Sequence, residues 1–152
     1  MPTIKQVTYI NAPIEKVFAF HLDLNNLLKI SPPEANLQIF HMPDKIVEGA
    51  TVGLFVKMGP ITTTMETVVE ELDPPHKFVD RQIGGFFSKW THTHLLEKIT
   101  ETKTKLTDII EFSLPLGMLG NLFGGGIVQD KIENIFRHRA AMTRKLLEEN
   151  SD

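Results

Sequence analysis

Hydrophobic and polar positions alternate from Thr3 to Ile10, with Ile4, Gln6, Thr8 and Ile10 on one side and Lys5, Val7 and Tyr9 on the other. That period predicts a β-strand. The spacing then changes: Ile14, Val17, Phe18 and His21 fall on one helical face after Asn11-Ala12-Pro13, where Asn11 is expected to cap and Pro13 to sit at the first turn. A second short helix is predicted over Asp23 to Lys29, with Leu24, Leu27 and Leu28 on one face, ended by Ser31-Pro32-Pro33. From Asn36 onward the pattern is extended. Strands are predicted around Leu37 and Ile39 as far as Met42, then over Thr51–Met58, Ile61–Leu72 and His76–Ile83. Pro43-Asp44 and Asp73-Pro74-Pro75 mark turns, and Gly59-Pro60 a tight hairpin. Two more strand-like runs, Phe86–Lys98 and Thr104–Phe112, bring the expected total to about seven, all antiparallel.

These last two runs carry the most informative polar residues. Paired as a hairpin, they set Trp90 against Phe112, His92 against Ile110, His94 against Asp108 and Leu96 against Leu106, with Glu97 facing Lys105 on the other side. A slip of one residue would put Leu96 against Lys105 and Trp90 against Glu111, so matching polarity selects this register. One largely apolar face then holds two imidazoles and a carboxylate. His94 and Asp108, directly opposite, are the expected polar pair, because an unpaired carboxylate in such surroundings is costly. His21, on the apolar side of the first helix, is expected to be a core-edge imidazole bonded to a backbone acceptor.

The chain closes with a long amphipathic pattern, Ile127 to Glu149, in which Val128, Ile132, Ile135, Met142 and Leu146 form a stripe that also takes in Arg139. Arg139 reads either as a snorkelling edge residue or as a charge partner for a buried carboxylate such as Asp108. Before this helix, Leu114 to Gly126 is both glycine-rich and apolar. It lacks the Gly-Lys-Ser/Thr of a phosphate loop and suits either a plain loop whose leucines tuck into the core or, as the functional reading, a flap with Leu116, Met118, Leu119, Leu122 and Phe123 expected at a cavity mouth.

Composition narrows the classes of function. The 152 residues suit one domain spanning 1–152 with a single core. With 16 basic and 19 acidic residues, net −3, and no like-charge run, nucleic acid is not an expected partner. The absence of cysteine excludes disulfides, thiolate metal sites and a thiol nucleophile. No run of ~18 apolar residues suggests stable membrane insertion, and the first residues lack a secretory stretch, so the expected location is cytoplasmic. Composition fixes no oligomeric state.

Strand, two short helices, about six strands and a long helix give an α+β order in which a curved antiparallel sheet wraps the last helix, the helix-grip arrangement. Within that order, Ile10-Asn11-Ala12-Pro13-Ile14-Glu15-Lys16-Val17-Phe18, Asp73-Pro74-Pro75, Trp90-Thr91-His92-Thr93-His94, Thr104-Lys105-Leu106-Thr107-Asp108, Leu114-Pro115-Leu116-Gly117 and Ile135-Phe136-Arg137-His138-Arg139 carry a resemblance. The chain resembles the SRPBCC superfamily, which includes START lipid-transfer domains, birch-pollen-type allergens and polyketide cyclases. It is most similar to small bacterial members termed ligand-binding or cyclase/dehydrase-like. The resemblance implies a deep cavity between sheet and helix for a hydrophobic small molecule, without implying chemistry.

Expected lining residues are Trp90, His92, His94, Asp108, Ile110, Phe112, Leu116, Met118, Phe123, Ile135 and Arg139. The leading reading is a binding module for an apolar, lipid-like or polycyclic molecule. The alternative is a cyclase, dehydratase or isomerase in which His92 or His94 moves a proton and Asp108 orients it. A two-His-one-carboxylate metal triad ranks third, so neither a metal nor a cofactor is expected.

Overall fold

The computed structural model describes residues 2–58, 60–115 and 125–149. Strand β1 (Thr3–Ile10) buries Ile4, Thr8 and Ile10, the face that alternation predicted. Helix α1 (Ile14–Leu22) buries Ile14, Val17 and Phe18. Asn11 does not cap it. The cap position is Pro13, which offers no side-chain acceptor, and the Asn11 N–H donates to Glu148 Oε1 at 3.0 Å, tying the start of α1 to the last turn of helix α3 (Gly125–Glu149). Capping instead supports α2 (Leu24–Ile30), where Asp23 Oδ1 accepts from the Asn25 N–H at 3.0 Å.

After a 3-10 turn at Pro33–Ala35 come β2 (Gln38–His41), β3 (Thr51–Met58), β4 (Ile61–Asp73), β5 (Lys77–Gly85), β6 (Lys89–Thr100) and β7 (Lys103–Ser113). Strand β2 ends at His41, before Met42. The strands form one seven-stranded sheet in the order β1-β7-β6-β5-β4-β3-β2, with every neighbouring pair antiparallel. The β6–β7 register is the one that polarity selected: Trp90 faces Phe112, His92 faces Ile110, His94 faces Asp108 and Leu96 faces Leu106. It shifts only beyond Lys98, next to the turn. Two register shifts between β4 and β5, at Glu66/Thr67 and Val69/Glu71, bend the sheet as bulges do. Near the first of them Gly85 adopts φ 142°, and a Cβ there would strike the Thr64 carbonyl oxygen.

Helix α3 crosses the concave face, beside β1 and α2. It buries Val128, Ile132, Phe136, Ala140, Thr143 and Leu147. The expected stripe is corrected here, because Ile135, Met142 and Leu146 are only half-buried. Positions 135/136 and 146/147 lie side by side within a ~100° apolar sector, and periodicity alone does not choose between neighbours. Burying each large apolar side chain on this face stabilises by roughly 1.5–3 kcal/mol. Two core clusters result. One joins Ile4, Phe87, Trp90, Ile110, Phe112, Ile132 and Phe136; the other joins Ile10, Val17, Phe18, Phe78, Leu96, Leu106 and Leu147. This is the helix-grip fold. No helix among the described residues is long and apolar enough to cross a membrane.

Candidate functional site

A cavity of about 170 Å³ lies where the two clusters meet, lined by Trp90, Ile132 and Phe136 from the first and Phe78 and Leu106 from the second. On the same measure one water needs only ~10–15 Å³, so the space suits a small molecule. Leu24, Leu27 and Ile30 of α2 and Leu54, Val56 and Met65 of β3 and β4 complete the apolar wall.

Its polar end is built by the strand pleat. His92 and His94 are two residues apart on β6 and share a face, while β7 sets Asp108 opposite His94 and β5 sets Asp80 opposite His92. Each imidazole bonds the carboxylate diagonal to it. His92 Nε2 lies 2.8 Å from Asp108 Oδ1, and His94 Nε2 lies 3.0 Å from Asp80 Oδ2. His94 Nδ1 comes within 3.3 Å of Asp108 Oδ1 without hydrogen-bond alignment. The pair expected from direct opposition is present as this 3.3 Å contact, and the structure adds two partners to it: His92 holds the aligned hydrogen bond to Asp108, and Asp80, which was not expected at the site, holds His94. Diagonal neighbours are within reach of long ring side chains. The His94 ring is also stacked, 3.7 Å from Phe78 at 11° and 3.7 Å from His92.

Burial sets the charges. His92, His94 and Asp108 are 6%, 7% and 8% exposed. Burial, helped by the charge on His94, pushes His92 down to about 4, against the attraction of Asp108, so at neutral pH it is uncharged. An ionised carboxylate only accepts, so the His92 proton sits on Nε2 and Nδ1 is unprotonated. For His94 burial also opposes charge, but the carboxylates of Asp108 and Asp80 outweigh it and raise the pKa. Asp108 shows the converse: burial disfavours its charge, yet His92 and His94 hold its pKa well below the ordinary carboxylate range.

His21 reaches this end from α1. Its Nδ1–H donates to the Val17 carbonyl at 2.8 Å, the backbone bond that was expected, and its ring meets His94 edge-on at 6.0 Å. Burial and the His94 charge lower its pKa.

Arg139 enters from α3. Its guanidinium lies over the Phe136 ring, 4.9 Å from the centroid, and its buried Nε has no hydrogen-bond partner. Burial lowers its pKa to about 10, so it stays charged near neutrality.

Of the residues expected to line a cavity, Trp90, His92, His94, Asp108, Ile135 and Arg139 do so. Ile110 and Phe112 lie instead in the first core cluster, 0% and 1% exposed and away from the cavity lining, because α3 and β1 cover that stretch of β7. Leu116, Met118 and Phe123, with the rest of the expected flap, fall outside the described residues. Asp80, His92 and His94 offer three potential metal-ligand atoms within 4.8 Å of one another. Each of these side chains already has a protein partner: Asp80 and His94 each other, and His92 the Asp108 carboxylate.

The profile of the family described as polyketide cyclase / dehydrase and lipid transport matches residues 10–136. No curated protein sequence matches the chain. Solved structures share the fold at low identity. A START superfamily protein from Mycobacterium smegmatis superposes with a TM-score of 0.75 at 14% identity, covering 97% of each chain. The Zhui aromatase/cyclase from a Streptomyces species reaches 0.79 at 16% identity, over 99% of this chain and 96% of that one. The di-domain ARO/CYC protein BexL of the BE-7585A biosynthetic pathway reaches 0.67 at 14% identity, over 97% of this chain and 47% of its own.

Proposed function

The chain belongs to the polyketide cyclase / dehydrase and lipid transport family, and from that premise we propose that it binds a largely apolar, lipid-like or polycyclic small molecule between the sheet and α3. The family supports a ligand-binding or cyclase role. The observation that carries the finer reading is the cavity itself: apolar walls from α2, α3, β3 and β4 surround one polar end formed by Asp80, His92, His94, Asp108 and Arg139. Ligand sites have this composition, a hydrophobic lining for affinity and a few convergent polar groups for orientation. Trp90, the single tryptophan, lines the cavity and serves as a reporter. A naphthyl probe is expected to quench its fluorescence saturably at one site per chain. Filling the cavity with Ala140→Phe, folding confirmed by circular dichroism, abolishes that quenching. Quenching that never saturates, or that survives Ala140→Phe unchanged, contradicts the reading.

A second reading, acid–base catalysis on the bound molecule, is favoured by the 2.8 Å His92–Asp108 bond around a neutral imidazole. In this reading the unprotonated Nδ1 takes a proton from the substrate while Asp108 stabilises the imidazolium that forms. A histidine held near 4 is a weak base at neutral pH, and that places binding ahead of catalysis. Dehydration of a β-hydroxy ketone probe that disappears in His92→Gln while the probe still binds would reverse the order.

A further inference from the structure

We infer that the bound molecule carries an oxyanion, a carboxylate or an enolate- or phenolate-like oxygen, and that Arg139 is the residue that receives it. The inference rests on the binding reading above and deepens it by naming the polar group of the ligand.

The argument is a count of donors and acceptors at the polar end. The titratable groups that line the cavity with Arg139 are His21 from α1, Asp23 at the start of α2, Asp80 from β5, His92 and His94 from β6 and Asp108 from β7. The carboxylates are already engaged, Asp108 by both imidazoles, Asp80 by His94 and Asp23 by the backbone and side-chain amides of Asn25. Arg139 is the member left over: among the described residues no ion pair joins it to a carboxylate, and its Nε is buried without an acceptor. Guanidinium is not discharged in compensation, since even after burial it titrates only near 10. A buried charged donor without an acceptor is unfavourable, and a bound oxyanion removes that penalty.

Position supports the same assignment. Arg139 is held over Phe136, one turn from Ile135 and two from Ile132, so its fork is oriented before the ligand arrives. The imidazoles compete poorly for an anion. His92 directs Nε2–H to Asp108, and His94 directs Nε2–H to Asp80 and turns Nδ1 toward Asp108.

The test compares two probes of nearly the same shape, 2-naphthoic acid and 2-naphthamide, by Trp90 quenching and calorimetry near neutral pH. The intact protein is expected to bind the acid at least about tenfold more tightly than the amide. In Arg139→Met that ratio falls to about one, and Arg139→Lys keeps part of it. If both probes bind the wild type equally, the oxyanion assignment is overturned and the cavity reading stands. If neither binds, both are overturned. A preference for the acid that persists in Arg139→Met removes Arg139 from the role. Should Arg139→Met fail to fold, the wild-type ratio and Arg139→Lys decide.

Discussion

Lowering the pH from about 7 to about 4.5 should destabilise the protein through His92, and the size of the effect follows from its surroundings. In the unfolded chain an imidazole titrates near 6.5. In the fold, burial beside His94 holds His92 near 4. A depressed folded-state pKa gives stability that is present above the unfolded value and is lost as pH falls toward the folded one. Proton linkage over this interval gives a loss of about 2 kcal/mol. His21, also lowered, adds to the loss with the same sign. His94 has the opposite sign and partly offsets the loss, since a group with a raised folded-state pKa gains stability as pH falls from about 7 toward about 6.5. Its raised pKa makes its contribution complete below about 6.5, and Asp108, whose pKa is lowered, keeps its contribution down to the ordinary carboxylate range. Urea unfolding at the two pH values measures the loss, and the histidine Cε1–H resonances identify the group that titrates. His92→Gln keeps a donor for Asp108 and should remove the part due to His92, leaving the opposing parts of His21 and His94. Equal stability at both pH values, or a His92 resonance that titrates near 6.5, would refute this electrostatic account.

Other outcomes follow from the same structure. Phe136→Ala should cost about 3–5 kcal/mol in urea unfolding, since the side chain is 4% exposed in the first core cluster, whereas the half-buried Ile135→Ala should cost clearly less; equal losses would return the core stripe to its expected place. Gly85→Ala should lower stability by about 1–3 kcal/mol, because at φ 142° the new methyl meets the Thr64 carbonyl, and a neutral result would mean the bulge relaxes freely. Asp80→Asn should lower the pKa of His94, which loses one of its two carboxylates, and an unchanged His94 titration would leave Asp108 as its sole determinant.

The fold was legible because its signals are local and repeated. Period-two patterning delimited β1, the Gly59-Pro60 turn bounded β3, and the polarity of paired residues fixed the β6–β7 register down to Glu97 against Lys105. The site was legible along that hairpin and, through Ile135 and Arg139, on the last helix. His92, His94 and Asp108 declared themselves as polar residues on an apolar face, but which imidazole meets which carboxylate depends on side-chain reach across a pleat, and register does not encode that. Asp80 had a weaker signal. Alternation gives it the facing of Phe78, and only the β5–β6 register brings it to His94. The contributions of Leu54, Val56 and Met65 depend on the curvature of the far strands, a tertiary property with no sequence period. Phe136 was passed over because helical periodicity allows its neighbour Ile135 equally well.

The claim on which all this turns is that the space between sheet and α3 is a ligand site. Backbone amide chemical-shift mapping during titration with 2-naphthoic acid tests it most directly. The account predicts saturable shifts concentrated at Leu54, Val56, Trp90, His92, Ile135 and Arg139, with exposed positions such as Tyr9 and Ile83 unmoved. Shifts that gather at those exposed positions and leave Trp90, His92 and Arg139 unperturbed would contradict it.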